Sequence, residues 1–292
     1  MSDTEDLYAP AVIRDILERH GFSFSKKLGQ NFLINPTVCP RIAEMGGAAK
    51  GTGVIEVGTG VGVLTHELAL RADKVCAVEL DERLMPVLAE TLAEHDNIKI
   101  LNDDILKVDL RGLIEEEFPG LDVVVCANLP YYITSPVIMK LLEDRLPVKA
   151  VTVMVQKEAG TRLCAAEGSR ECGAVTFAVR YFSEPKKLFD VSRGSFMPAP
   201  NVDSCVIRLD LKDTTIFAPG SDEERFLFRT VRAAFGQRRK TLCNSVSAVL
   251  GIDKQTVTAA VGSAGLSPTV RPEALTLAQM AEFSQRLSEK LG

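Results

Sequence analysis

The side chains best suited to shared chemistry begin with Asn128-Leu129-Pro130-Tyr131, directly after the apolar run Val123–Ala127 in VVVCANLPYYITSP. Such a run reads as a buried strand, and the turn that ends it is neither strand nor helix. Pro130 stiffens the turn and removes one backbone donor, leaving neighbouring carbonyls free to point inward. The Asn128 amide oxygen and the Leu129 or Pro130 carbonyl are then two acceptors for the two hydrogens of an exocyclic amine. Tyr131 adds a flat face on which a base can stack, a contact worth about 1–3 kcal/mol. Phe196, in SFMPAPNVDS, is the candidate for the opposite face. A base held there must first leave its own stack, at roughly a few kcal/mol.

A second group surrounds VIEVGTGVGVLT, with Gly58, Gly60 and Gly62 after a strand-like run. Glycine lets the backbone come close to a ligand and adopt positive φ. The dinucleotide pattern wants a small residue three positions after Gly60, where Val63 stands, and it uses a helix amino terminus to hold a pyrophosphate. The tighter spacing, with Glu56 two residues before Gly58, favours a ligand without phosphates. Glu79 closes KVCAVEL at the tip of the next strand, where a carboxylate accepts two bonds from ribose hydroxyls. Asp103 and Asp104 follow the third strand in ILNDDIL; an acid there accepts from an adenine amino group. Sugar acid, base acid and a phosphate-free glycine turn together describe S-adenosylmethionine. A sulfonium methyl is already activated, so the chemistry is chiefly in-line positioning, worth up to about 7–11 kcal/mol. The sequence offers no Cys/His or Ser/His/Asp constellation, and this chemistry needs none.

These residues must be placed by a common framework. From residue 53 the pattern alternates strand and helix: GVIEVG, KVCAVEL, IKILN, LDVVVCAN and AVTVMVQ read as strands, four of them nearly continuous apolar runs. That pattern predicts a parallel sheet covered on both faces. GAVTFAVRYF and VDSCVIRLDL alternate more cleanly and suit later, antiparallel strands. Residues 10–20 read as a helix with Pro10 in its first turn and Gly21 at its end. KDTTIFAPGSD, from Lys212, reads as a linker. Beyond it, apolar residues at 226, 227, 231, 234 and 235 form a helical stripe that Gly236 should end, and about 241–250, 253–264 and 273–290 read as further helices.

Composition sets the outer bounds. The 292 residues are 46% apolar and 25% charged, the balance of a soluble globular protein. The acidic start MSDTEDLYAP resembles neither a secretory signal nor a transit peptide, and no apolar run is long enough for a membrane span. Seven cysteines without a Cys-x-x-Cys pair, and three scattered histidines, give neither a disulfide framework nor a metal site. The net charge of −5 argues against nucleic acid, but its distribution does not. From Arg225 to Ile252 there is no acid, whereas Arg225, Arg229, Arg232, Arg238, Arg239 and Lys240 are basic. A local patch, not the total, attracts phosphates.

In order and spacing, KKLGQNFL (26–33), EVGTGVGVLT (56–65), NLPYYI (128–133), FMPAPNVDS (196–204) and FGQRRKTL (235–242) resemble the bacterial small-subunit rRNA adenine dimethyltransferases of the KsgA type. The resemblance runs from about residue 20 to the carboxyl-terminal helices. It implies an α/β fold: a seven-stranded, mostly parallel, Rossmann-like methyltransferase sheet with a small all-helical carboxyl-terminal domain, divided here as 1–211 and 212–292. It implies transfer of methyl groups from S-adenosyl-L-methionine to N6 of two adjacent adenines in the 3′-terminal hairpin of 16S rRNA, within the immature small ribosomal subunit. Its cofactor contacts would fall on Asn31, Leu33, Gly58, Glu79, Asp104 and Asn128, with Gly60 in the same loop. Its catalytic turn carries over to Asn128, Leu129, Pro130 and Tyr131, and Phe196 matches its aromatic loop. Lys26, Lys27, Arg238, Arg239 and Lys240 are the expected RNA contacts. Thr59 departs mildly from a pattern that commonly has Pro there. A monomeric, cytoplasmic enzyme without metal is expected. The alternatives are a resistance-type 23S rRNA adenine methyltransferase, a DNA adenine methyltransferase (disfavoured by Leu129), a dehydrogenase (disfavoured by Val63) and a non-catalytic ribosome-assembly factor.

Overall fold

The computed structural model describes residues 7–23, 30–237 and 239–292. The chain divides into two compact units, Met1–Gly160 with Pro185–Leu211, and Thr161–Glu184 with Lys212–Gly292.

In the first unit, α1 (Pro10–Arg19), β1 (Phe32–Leu33) and α2 (Val38–Gly46) precede a regular alternation. This comprises β2 (Thr52–Val57), α3 (Val63–Ala69), β3 (Lys74–Glu79), α4 (Met85–Thr91), β4 (Ile98–Asn102), α5 (Leu110–Glu117), β5 (Asp122–Asn128), α6 (Thr134–Glu143) and β6 (Ala150–Gln156). After α7 (Lys157–Leu163) and α8 (Ala174–Phe182) come β7 (Ser183–Val191), β8 (Phe196–Met197) and β9 (Ser204–Leu211).

The seven-stranded sheet has the order β4-β3-β2-β5-β6-β9-β7. The pairs from β4 to β6 are parallel and β6–β9 is antiparallel. Strands β2, β5 and β6 carry buried residues along almost their whole length, which is why they read as unbroken apolar runs. Between β2 and β5 the order of the sheet reverses direction. Their carboxyl ends therefore part around a crevice, the place where open α/β sheets receive ligands. Helices α1 to α4 cover one face of the sheet, burying Ile13, Ile42, Leu68 and Leu88 against Val54, Val124 and Cys126. At the rim of α5, Glu117 accepts from Lys74 at 2.6 Å and from Lys99, and these two ammonium groups hold its carboxyl at about 2.

Two strand assignments differ from the sequence reading. GAVTFAVRYF is not a strand: Ala174–Phe182 is helix α8. Over nine residues its apolar spacing fits both periods, and the helix wins because Phe177, Ala178, Tyr181 and Phe182 fall on one face at i, i+4. The seventh strand is instead β7, SEPKKLFDV, at the outer edge of the sheet. Edge strands tolerate lysine and proline, and those residues concealed it in the sequence.

In the second unit α8 is followed by α9 (Asp222–Ala234), α10 (Leu242–Leu250), α11 (Lys254–Ser263) and α12 (Leu277–Glu289). The sequence boundary at 211/212 coincides with one edge of this unit, but residues 161–184 also belong to it. The reason is an aromatic cluster: Phe182 stacks on Phe228 at 5.6 Å, and the Tyr181 hydroxyl donates to buried Glu224 at 2.8 Å. Ser221, Thr241, Asp253 and Thr276 cap α9 to α12 by accepting from backbone amides in the first turn. Helix α9 stops at Ala234, and Gly236 does not supply a left-handed cap. A Cβ at Gly236 would stand 3.0 Å from Val249 Cγ2, so glycine serves close packing there.

Candidate active site

At the carboxyl ends of β2 to β5 lies a cavity of about 270 Å³. It is lined by Asn31, Leu33, Gly58, Gly60, Glu79, Asp104, Asn128, Leu129, Pro130, Tyr131 and Phe196, whereas Glu56 and Gly62 of the glycine-turn segment do not line it. Lys26, Lys27 and Arg238 lie outside the described residues. Arg239 and Lys240 are exposed in the second unit, between α9 and α10. Arg239 has φ +66°.

The glycine turn has a specific steric basis. Gly60 has φ +56°, and a Cβ on it would stand 3.1 Å from the ring of Phe32. Both conformation and space exclude a side chain. Thr59, the departure from the commoner proline, is put to use. Its amide and hydroxyl donate to Glu79 Oε2 at 2.9 and 3.1 Å, and the Gly60 amide adds a bond at 3.4 Å. The Asp81 amide donates to Oε1 at 2.9 Å. Burial raises the Glu79 carboxyl above the ordinary range, and these four bonds work against that rise. Glu79 is thus oriented from both sides before any ligand arrives.

Beneath the loop, Glu56 is fully buried, and neither of its carboxylate oxygens has a partner among the described residues. Burial pushes its carboxyl up to about 8, with the Glu79 charge adding to the rise. Both effects favour the protonated form, a property that side-chain identity alone does not reveal.

At the end of β5 the turn takes a defined form. The Pro130 carbonyl accepts from the Ile133 amide at 3.1 Å and from the Thr134 hydroxyl at 3.4 Å. Of the two carbonyls considered from sequence, Leu129 is the one left for a ligand. The Asn128 side chain lines the cavity. Tyr131 is fixed by a 2.8 Å bond between its hydroxyl and that of Ser204, the first residue of β9. Burial raises its phenol above the usual range, so it stays neutral. Phe196 reaches the cavity from β8, which pairs with β1 in the register Leu33↔Phe196 and Phe32↔Met197. The strand Phe32–Leu33 has two residues, too short to leave a periodic signal in the sequence.

Asp104 Oδ1 accepts from the Leu106 amide at 3.0 Å, while Asp103 turns back on the Asp104 amide at 2.6 Å. Both acids line the cavity, and the other oxygen of Asp104 lies 3.6 Å from the Lys107 ammonium. Sequence reasoning missed Gln30, Leu80, Leu106 and Tyr132, which also line the cavity. Leu80, Leu106 and Tyr132 are three of the large apolar side chains that the protein leaves exposed. Among the described residues no His, Cys, Asp or Glu cluster could hold a metal ion, no helix is long and apolar enough to cross a membrane, and all seven cysteines are free.

The donor set fits S-adenosylmethionine: a carboxylate at each of two neighbouring strand tips, an apolar rim for a purine and a glycine turn without cationic side chains. The fold fits as well. The chain superposes on a dimethyladenosine transferase from Plasmodium falciparum with TM-score 0.70 and 26% identity, covering 89% of this chain and 98% of that one. It superposes on the 23S rRNA methyltransferase ErmE with TM-score 0.68 and 26% identity, covering 88% and 100%. Sheet order and cavity together define an α/β methyltransferase whose donor is of the S-adenosylmethionine type. A family model described as ribosomal RNA adenine dimethylase matches residues 21–289. Proteins named ribosomal RNA small subunit methyltransferase A from Anoxybacillus flavithermus and Geobacillus thermodenitrificans are 45% and 46% identical over 97% of both chains. The chain belongs to the ribosomal RNA adenine dimethylase family.

Proposed function

We propose that this enzyme transfers methyl groups from S-adenosylmethionine to N6 of two adjacent adenines in the 3′-terminal hairpin of 16S rRNA, acting on an immature small ribosomal subunit. The observation that carries the reading is the convergence of Glu79, Asp104, Asn128, Tyr131 and Phe196 on one cavity. Relatives similar over nearly the whole chain bear the small-subunit name, which favours that substrate over 23S rRNA.

When bound, the donor supplies an electrophilic methyl on a positively charged sulfur. Glu79 would accept from its ribose hydroxyls and Asp104 from its adenine amine, while Gly58, Gly60, Asn31 and Leu33 shape the remainder of that half. The target adenine would lie between Tyr131 and Phe196. Its N6 hydrogens would be taken by the Asn128 amide oxygen and the Leu129 carbonyl, which aims the nitrogen lone pair at the methyl. The extra proton leaves the amine after transfer, so no strong base is required. This agrees with a neutral Tyr131 and with histidines that are paired elsewhere, His66 with His95 at 2.7 Å and His20 with Glu90 at 2.7 Å.

The test is incubation of unmethylated 30S subunits with labelled S-adenosylmethionine, followed by nucleoside analysis. Dimethyladenosine in 16S rRNA is the expected result. A labelled nucleoside other than N6-methylated adenosine, or no label in 16S rRNA, overturns the reading.

Lys26, Lys27, Arg238, Arg239 and Lys240 are proposed to meet RNA phosphates. Each phosphate contact adds about 0.7–0.9 to the log–log dependence of binding on salt. Replacing Arg238, Arg239 and Lys240 with glutamine should therefore lower the slope by roughly 2–3, measured as affinity for 30S subunits across a salt series. An unchanged slope removes these three residues from the interface.

A further inference from the structure

The acid that ends β3 is wired to the opposite wall of the cavity through one buried residue, Asp81. Its backbone amide donates to Glu79 Oε1 at 2.9 Å. Its carboxylate, 6% exposed, is filled from two directions. Arg83 makes a forked contact, Nε to Oδ1 at 2.8 Å and Nη2 to Oδ2 at 2.6 Å. The Gln30 side-chain amide donates to Oδ2 at 2.7 Å. Gln30 runs directly into Asn31, a cavity residue, and then into β1, whose Leu33 is in register with Phe196. Arg83 extends the tie: its guanidinium lies 4.9 Å from the centre of the Phe22 ring and donates to the Ser23 carbonyl at 3.3 Å. Phe22 in turn sits 6.1 Å from Phe32 of β1.

Asp81 therefore touches neither proposed ligand, yet it contacts the elements that hold both. A forked guanidinium–carboxylate contact fixes orientation as well as charge, and a carboxylate that also receives an amide has little freedom to rotate. These contacts form one continuous chain from the Glu79 carboxylate through Asp81 and Gln30 to β1 and the aromatic residue paired with it.

We propose that Asp81 is a positioning residue that couples the donor half of the cavity to the base-holding half, so that donor binding tightens the grip on the RNA substrate. The inference rests on the function proposed above. Coupling of this kind is reciprocal and typically 5–150-fold.

The experiment measures affinity for unmethylated 30S subunits with and without saturating S-adenosylhomocysteine, in wild type and in Asp81→Asn. Asparagine keeps the volume and the backbone amide bond to Glu79. It loses the charge that Arg83 grips, and its amide NH2 is a donor where Arg83 and the Gln30 amide both need an acceptor. In wild type, S-adenosylhomocysteine should tighten 30S binding by about tenfold. In Asp81→Asn the ratio should fall to within about twofold of unity, with KM for 30S rising more than kcat falls. A residue that only stabilised the fold would weaken both ligands and leave the ratio intact. Gln30→Ala cuts the link on the β1 side alone, should also lose the ratio, and serves if Asp81→Asn does not fold. A retained ratio in either folded variant, or no ratio in wild type, overturns the coupling. Failure of wild type to methylate 30S subunits would instead overturn the function itself.

Discussion

Asn128→Ala is expected to lower kcat for methyl transfer to 30S subunits by about 10²–10³-fold, the range seen when one preorganised polar contact to a reacting group is removed. The argument is geometric. β5 ends at Asn128, and the following turn spends the Pro130 carbonyl on its own 3₁₀ turn. Two acceptors then remain for an exocyclic amine, the Leu129 carbonyl and the Asn128 amide oxygen. With one of them gone, the nitrogen lone pair stays conjugated with the ring and is no longer aimed. Affinity for S-adenosylhomocysteine should fall much less, by about tenfold at most, because the contacts proposed for Glu79, Asp104 and the glycine turn are intact. Single-turnover rates with pre-bound substrates measure the first quantity and calorimetry the second. Turnover close to wild type would remove Asn128 from the amine clamp, and an equal loss of both quantities would make it a donor ligand only.

The other large effect concerns Glu56. Its folded-state carboxyl is pushed up to about 8, above the ordinary 4.5, because it is wholly buried, with the Glu79 charge adding to the rise and the neighbouring Thr65 hydroxyl opposing it. The folded form keeps its proton where the unfolded form has lost it. Stability from this group is therefore fully present below pH 4.5 and declines as pH rises toward 8. The cost reaches about 3 kcal/mol by pH 7. Glu56→Gln, neutral at every pH, should melt near wild type at pH 5 and about 5–10 °C higher at pH 8. Thermal melts across that pH range decide the matter. Parallel profiles for the two proteins would show that Glu56 is not held protonated.

What could be read from the chain in advance follows from how each signal is encoded. The parallel strands were legible because burial on both faces demands runs such as VVVCA and VCAVE, a constraint with few other solutions. Glu79 was legible because it closes such a run, and Asp104 because it follows the next strand after Asn102 and Asp103. Strand β7 was not legible, since an edge exposed to solvent accepts Glu184, Pro185, Lys186 and Lys187, and α8 was mistaken because nine residues cannot separate two periods. Within the site, the opposite pattern holds. Side-chain identity announced Asn128 and Glu79, whereas the preference for the Leu129 carbonyl over that of Pro130, the proton on Glu56 and the Asp81 junction all depend on neighbours distant in sequence. Gln30 and Asp81 are 51 positions apart, and Tyr131 and Ser204 are 73 apart.

The pairing of Leu33 with Phe196 has a consequence for how the enzyme comes into being. Every proposed donor contact lies between Asn31 and Asn128, so all of those residues have been made once β5 is complete, although β1 still waits for its partner β8. The second aromatic wall is delivered by a segment more than sixty residues later, after β6, α7, α8 and β7 have been made. During synthesis on the ribosome, the growing polypeptide thus carries every residue proposed for the methyl source well before the segment that both completes the nucleobase wall and pairs with β1.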